Sequence, residues 1–217
     1  MLNLKLDIKK DRVLTVLCLG AHSDDIEIGC GGTILKLIED YENTAFCWVV
    51  FSSSKNRRKE AEKSAQAFLK GAKQKTVIIK DFRDGCFPYI GAEIKEYFEE
   101  LKQSVSPDLI LTHHRSDLHQ DHRLISDLTW NTFRDHLLFE YEIPKYDGDL
   151  GVPNVFIPIT KSICTQKIKY ILKYFPSQHE NQWFSKDTFQ SLLRLRGIES
   201  NACEKYAEAY YCRKIIV

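Results

Sequence analysis

The chain has 217 residues, of which 28% are charged and 43% hydrophobic, with a formal net charge of +1. That balance excludes the basic footprint of a nucleic-acid binder and an acidic tail, and no apolar run approaches the roughly 20 residues that span a membrane. Residues 1–7 lack the apolar stretch of a secretory signal, so the expectation is a cytoplasmic protein forming one domain over 1–217.

The seven cysteines are an odd number and form no Cys-x-x-Cys pair, which argues against a disulfide scaffold. Cys18 and Cys47 lie in apolar runs and read as small core residues. Cys30 is the one cysteine near candidate ligands, and the histidine and aspartates beside it suit a metal better.

Residues 13–19 form an apolar run of buried-strand length. Behind it comes Gly20-Ala21-His22-Ser23-Asp24-Asp25-Ile26-Glu27, followed by Gly29, Gly31 and Gly32. The next apolar spacing, Ile34, Leu35, Leu37 and Ile38, predicts a helix over 33–39. An imidazole and two adjacent carboxylates therefore occupy the turn between a buried strand and a helix. A nucleotide-binding glycine loop is rejected, because the spacing is wrong and two carboxylates would repel a pyrophosphate. Two readings stay open at this point, helix capping by the acids and metal binding.

Further along, 45–51 reads as a second strand and 55–70 as a helix burying Ala61, Ala65, Phe68 and Leu69, ended by Gly71. A strand at 76–79 leads into the turn-like 81–85. A helix at 92–104 carries Ile94, Tyr97, Phe98 and Leu101 on one face, and 107–112 reads as a fourth strand. Strands alternating with helices imply a Rossmann-like, three-layer α/β fold with a mostly parallel sheet in the order 3-2-1-4. In that order strands 1 and 4 are neighbours, and the crevice at their carboxyl ends is the topological switch point. The loop after strand 4, His113-His114-Arg115-Ser116-Asp117-Leu118-His119-Gln120-Asp121-His122-Arg123, holds four of the seven histidines. Two independent clusters meeting at one crevice favour the metal site over capping.

Leu124, Ile125, Leu128 and Phe133 suit a helix through about 135. A strand at 137–143, an acidic solvated connection over 141–149 and a strand at 154–159 follow. Helices at 161–174 and from Ser185 to near Gly197 come next, the latter with Phe189, Leu192, Leu193 and Leu195 apolar. A strand at 210–217 closes this C-terminal elaboration.

His22-Ser23-Asp24-Asp25-x-Glu27 with its trailing glycines, and His119-Gln120-Asp121-His122 downstream, resemble the PIG-L/LmbE-like zinc-dependent N-acetylglucosaminyl deacetylases. The resemblance extends along most of the chain, through Arg57 to Glu60 and Asp84-Gly85, and is weakest from about 137 to 190. Ser23 stands where the family pattern has proline, a change that affects turn stiffness. The resemblance implies that His22, Asp25 and His122 bind the metal, zinc first with iron(II) or another divalent ion as alternatives. It implies Asp24 as general base, His119 as electrophilic or acid partner, and Asp121 orienting His119. Arg57, Asp84, His113 and Asp117 are the expected substrate contacts.

Two imidazoles and one carboxylate leave a tetrahedral ion an open position for water, which suits amide hydrolysis. Adjacent residues in a turn point differently, so Asp25 can bind metal while Asp24 takes a proton. Asp121 could equally fix an imidazole's tautomer. Glu27 reads as a helix-start acid with no assigned step. The expected activity is removal of an N-acetyl group from an amino sugar or its conjugate. A non-haem iron oxygenase and a non-catalytic metal-containing sugar-binding protein are the competing classes. The expected partner is a small molecule, with no nucleic acid and no membrane span; a homo-oligomer is compatible with this reading.

Overall fold

Alternate side chains of strand β1 (Leu14–Gly20) enter two separate cores. Leu14, Val16 and Cys18 point into one, Leu17 and Leu19 into the other, as in a parallel strand covered by helices on both faces. The computed structural model describes residue 8 and residues 12–216. Residues 1–7, read above for a signal, and Val217, read as the end of a strand, lie outside the described residues.

Strands β2 (Thr44–Val50), β3 (Gln74–Ile79), β4 (Leu109–His113), β5 (Leu137–Tyr141), β6 (Val155–Ile159) and β7 (Tyr206–Tyr211) complete one seven-stranded sheet, ordered β3-β2-β1-β4-β5-β7-β6. The first five in that order are parallel, and β7 runs antiparallel to both β5 and β6. Helices α1 (Asp25–Asp40), α2 (Lys55–Phe68), α5 (Lys161–Tyr174) and α6 (Lys186–Glu199) cover the face that holds Val16. Helices α3 (Gly91–Ser104) and α4 (Gln120–Thr132) cover the face that holds Leu17. The 3-2-1-4 core and the mostly parallel α/β architecture are therefore as the sequence implies. No helix among the described residues is long and apolar enough to cross a membrane.

The first helix departs from expectation by starting at Asp25 rather than near residue 33. Residues 29, 31 and 32 of this helix are glycine because neighbouring groups leave no room for a Cβ. A Cβ on Gly29 would lie 2.1 Å from the Tyr141 ring, and one on Gly32 would lie 2.9 Å from the Glu208 carboxylate. Glu208 accepts the Gly32 and Thr33 N–H groups at 2.7 and 2.6 Å. Lys167 donates to the Ile28 carbonyl at 2.6 Å and to Glu208 at 2.5 Å. The carbonyl of residue 28 and the N–H of residue 32 are the two ends of one helical rung, so a buried ion pair from α5 and β7 reaches both.

Other differences follow from the same C-terminal packing. The last strand is Tyr206–Tyr211 rather than 210–217, its alanines and buried Glu208 giving little strand signal. Strand β5 ends at Tyr141, and the segment after it is a solvated connection only at 146–148, because Glu142, Ile143 and Pro144 are buried. Glu142 takes a two-pronged bond from Arg196, at 2.9 and 2.6 Å, which turns Arg196 inward and leaves Leu195 exposed. Helix α4 starts at Gln120, inside the segment expected to be loop, and ends at Thr132.

Glu208→Ala strands a buried ammonium and two helix N–H groups. Urea denaturation is expected to show a loss of about 3–5 kcal/mol, the usual result of removing one member of a buried pair.

Candidate metal centre and active site

The ends of β1 and β4, neighbours in the sheet, deliver the two polar clusters to one crevice. His22 sits in the turn after β1 and Asp25 opens α1. His119 is the N-cap of α4, its Nδ1 accepting the Asp121 N–H at 3.3 Å, which places Asp121 and His122 in the first turn. Asp24 occupies the N-cap position of α1 but makes no side-chain cap, and Asp25 Oδ2 instead accepts the His22 N–H at 2.6 Å. Capping is therefore not what these acids do.

Three donor atoms from the two segments face one another. His22 Nδ1 is 3.1 Å from His122 Nε2, and Asp25 Oδ2 is 3.4 and 3.5 Å from those two nitrogens. These separations bracket about 3.3 Å, the edge of a tetrahedron drawn around zinc at its usual bond lengths. His122 Nδ1 lies 2.9 Å from Asp117 Oδ2, so it carries the ring hydrogen and leaves Nε2 bare. His22 Nε2 faces Asp84 Oδ1 at 3.1 Å and Asp121 Oδ2 at 3.3 Å, which leaves Nδ1 bare in the neutral ring. Two nitrogen lone pairs and a carboxylate oxygen then converge with no hydrogen between them, an arrangement only a cation satisfies. Hence the residues fit a divalent metal.

The electrostatics show the same demand. Burial opposes charge on His22, but Asp25, Asp121 and Asp84 outweigh it and hold its pKa well above the ordinary histidine value, so a proton can stand in for the metal. Burial and then His113 hold His122 down to about 4. Burial also opposes ionisation of Asp25, yet His122, His113 and His22 together hold its carboxyl well below the usual range. Burial raises Asp24, against the pull of Arg57, and burial followed by His22 lowers His119.

Several expected roles change place. Asp121 holds the His119 ring through its backbone N–H alone: its carboxylate is on His22 and accepts the Gly85 and Phe87 N–H groups at 2.7 and 3.1 Å. It fixes the tautomer of a ligand and anchors the turn after β3. His113 is fully buried, stacked on His122 at 3.9 Å, and is not a substrate contact. Its Nε2 accepts the Ala21 N–H at 2.9 Å, so that lone pair is occupied although Asp25, His113 and His122 lie within ligand distance. Asp117 is also buried and serves His122 rather than a substrate. Arg57 donates to Asp24 Oδ1 at 2.6 Å, which makes it the partner of the expected base. Asp84 is the exposed member, on the rim as expected. His114 turns away, stacking on Tyr211 and bonding Glu140.

Sequence reasoning missed Tyr141, whose hydroxyl donates to the Leu19 carbonyl at 2.6 Å and whose ring lies 4.8 Å from His113. It also missed Lys145, 3.1 Å from Asp117. Glu27 is fully buried with Ser64 beside it, and burial pushes its carboxyl well up.

Residues 17–133, more than half of the chain, match the family described as PIG-L: GlcNAc-PI de-N-acetylase. The chain belongs to the PIG-L family. The matched segment of this PIG-L chain holds all the residues that converge on the crevice from β1 and β4. No curated protein matches it in sequence. Among solved structures it is similar to the conserved protein TT1542 from Thermus thermophilus, with 18% identity, 94% and 97% of the two chains covered and a TM-score of 0.75. The 4-carboxy-2-hydroxymuconate hydratase GalB from Pseudomonas putida is similar at 18% identity, 94% and 98% coverage and a TM-score of 0.74. The N,N'-diacetylchitobiose deacetylase from Pyrococcus horikoshii is similar at 20% identity, 92% and 83% coverage and a TM-score of 0.64. What is shared at these identities is the fold, and it hosts more than one reaction.

Removing the Asp117 carboxylate frees the His122 ring to rotate and to move its hydrogen. Asp117→Ala is expected to weaken zinc binding about 10- to 100-fold in competition with a chromogenic chelator.

Proposed function

We propose that this PIG-L chain is a zinc-dependent N-deacetylase, an amide hydrolase that removes an acetyl group from an amino sugar or an amino-sugar conjugate, free, nucleotide-linked or lipid-linked. One observation carries the proposal: His22 Nδ1, Asp25 Oδ2 and His122 Nε2 face one another, with His119 within ligand distance of the two imidazoles and Asp24 next to Asp25 in the chain. A divalent cation held there supplies water of pKa lowered to about 7 and positive charge near the substrate carbonyl oxygen.

The chain's own groups supply the rest. Arg57 occupies one oxygen of Asp24, and the other is available to take the proton of the attacking water. Burial raises the affinity of Asp24 for that proton, which suits a base. His119 uses Nδ1 to accept the Asp121 N–H, so its hydrogen is on Nε2 and can be donated to the carbonyl oxygen as that oxygen gains charge. As the C–N bond breaks, the proton held by Asp24 passes to the departing nitrogen, giving a free amine and acetic acid, which ionises to acetate by losing its proton to solvent. The donor to the oxyanion and the donor to the amine are thus different residues, and burial followed by His22 lowers the His119 pKa.

Asp84, exposed on the rim, has one carboxylate oxygen on His22 and the other available for a sugar hydroxyl.

The test is incubation of the zinc-loaded protein with a panel of N-acetylated amino sugars and conjugates, assaying released acetate and new amine. Absence of turnover on every acylated amine overturns the proposal, and oxygen consumption with iron would point to the oxygenase class. Chelator treatment should abolish turnover and added zinc restore it. Asp24→Ala should keep bound metal while kcat falls about 10²- to 10⁴-fold, the usual contribution of a general base.

A further inference from the structure

Lys145 lies outside both polar clusters, in the loop between β5 and β6, yet its side chain is almost buried against acids. Its Nζ is 3.1 Å from Asp117 Oδ2, 2.5 Å from Asp149 Oδ2 and 3.9 Å from Asp147 Oδ2. Asp149 Oδ2 also accepts the Leu118 N–H at 2.7 Å. Two bonds therefore tie the β5–β6 loop to the segment between β4 and α4, one through each neighbour, Asp117 and Leu118.

Asp117 is the point where this tie meets the metal centre. Its Oδ2 takes the His122 Nδ1–H at 2.9 Å, and its Oδ1 takes the His119 N–H at 2.8 Å. One carboxylate thus sets the ring of a ligand and the backbone of the oxyanion donor. Placing an ammonium among carboxylates away from water has a large desolvation penalty, so such a pair is weak evidence of stability. Its effect here is geometric. Without the ammonium, Asp117 and Asp149 would face each other as like charges.

We propose that Lys145 and Asp149 are positioning residues that clamp the β5–β6 loop onto Asp117 and so fix both His122 and His119 for the reaction. Where it concerns the metal, this rests on the reading of the site as a zinc deacetylase; where it concerns the His122 ring, it does not. The base of the same loop is pinned separately, by Arg196 on Glu142 and on the Gly151 carbonyl at 3.1 Å. Loss of the clamp therefore frees the tip of the loop while its ends stay in place.

Lys145→Met, Lys145→Arg and Asp149→Asn test it with two readouts. The first is the imidazole nitrogen spectrum of the metal-free protein by NMR. Wild type should show one His122 tautomer with a protected Nδ1–H. Lys145→Met and Asp149→Asn should show tautomer exchange and loss of that protection, and Lys145→Arg should restore it. The second is zinc affinity by chelator competition, expected to fall about 5- to 10-fold in Lys145→Met, less than for loss of Asp117 itself. In turnover the loss should appear in kcat more than in KM. A protected His122 Nδ1–H and wild-type zinc affinity in both Lys145→Met and Asp149→Asn would overturn the proposal. Wild-type protein that neither binds zinc nor cleaves any acylated amine would sink the deacetylase reading instead, and the NMR comparison would still decide the clamp.

Discussion

Bare lone pairs repel, and a protein that aims two imidazole nitrogens and a carboxylate oxygen at one point needs a positive charge there to be at ease. Here the repulsion is enforced from behind. Asp117 holds the hydrogen of His122 on the far side of its ring, and Asp84 and Asp121 do the same for His22. Each ligand is thereby fixed in the tautomer that leaves the inward atom empty. The fit to a divalent cation is a property of these outer contacts as much as of the three inward atoms.

Those outer contacts come from every strand end near the crevice. Asp84 and the N–H groups of Gly85 and Phe87 come after β3, Asp117 and Asp121 after β4, and Lys145 after β5. A parallel sheet presents all these strand ends at one rim, which is why a single fold can gather so many polar groups without burying them unpaired. Glu27 is one exception, a buried carboxyl whose pKa burial pushes well up, and His113 Nδ1 is another buried atom without a partner among the described residues.

Much of this was legible in the sequence because it rests on short-range patterns. Apolar runs of strand length separated by helical spacing yield the 3-2-1-4 order, and that order alone brings residues 22 and 122 together. The side-chain roles were less legible, since they depend on which way a residue faces at a boundary. Asp121 and Asp117 both read as acids on a loop. Only the start of α4 at Gln120 turns the first toward His22 and the second toward His122. The C-terminal third was hardest because polar residues do core work there. Glu208, Lys167, Glu142 and Arg196 are all buried, so the apolar spacing that marks helices and strands elsewhere is interrupted where packing is tightest.

The rung of α1 shared with Lys167 and Glu208 joins one of the first elements of the fold to two of the last. The side chains that complete the middle turn of α1 lie 139 and 176 residues further along the chain. Contacts so distant along the chain are costly to close early. The middle turn of the helix that bears Asp25 therefore owes its hydrogen bonds to residues remote in sequence, and its cohesion is a long-range property rather than a local one.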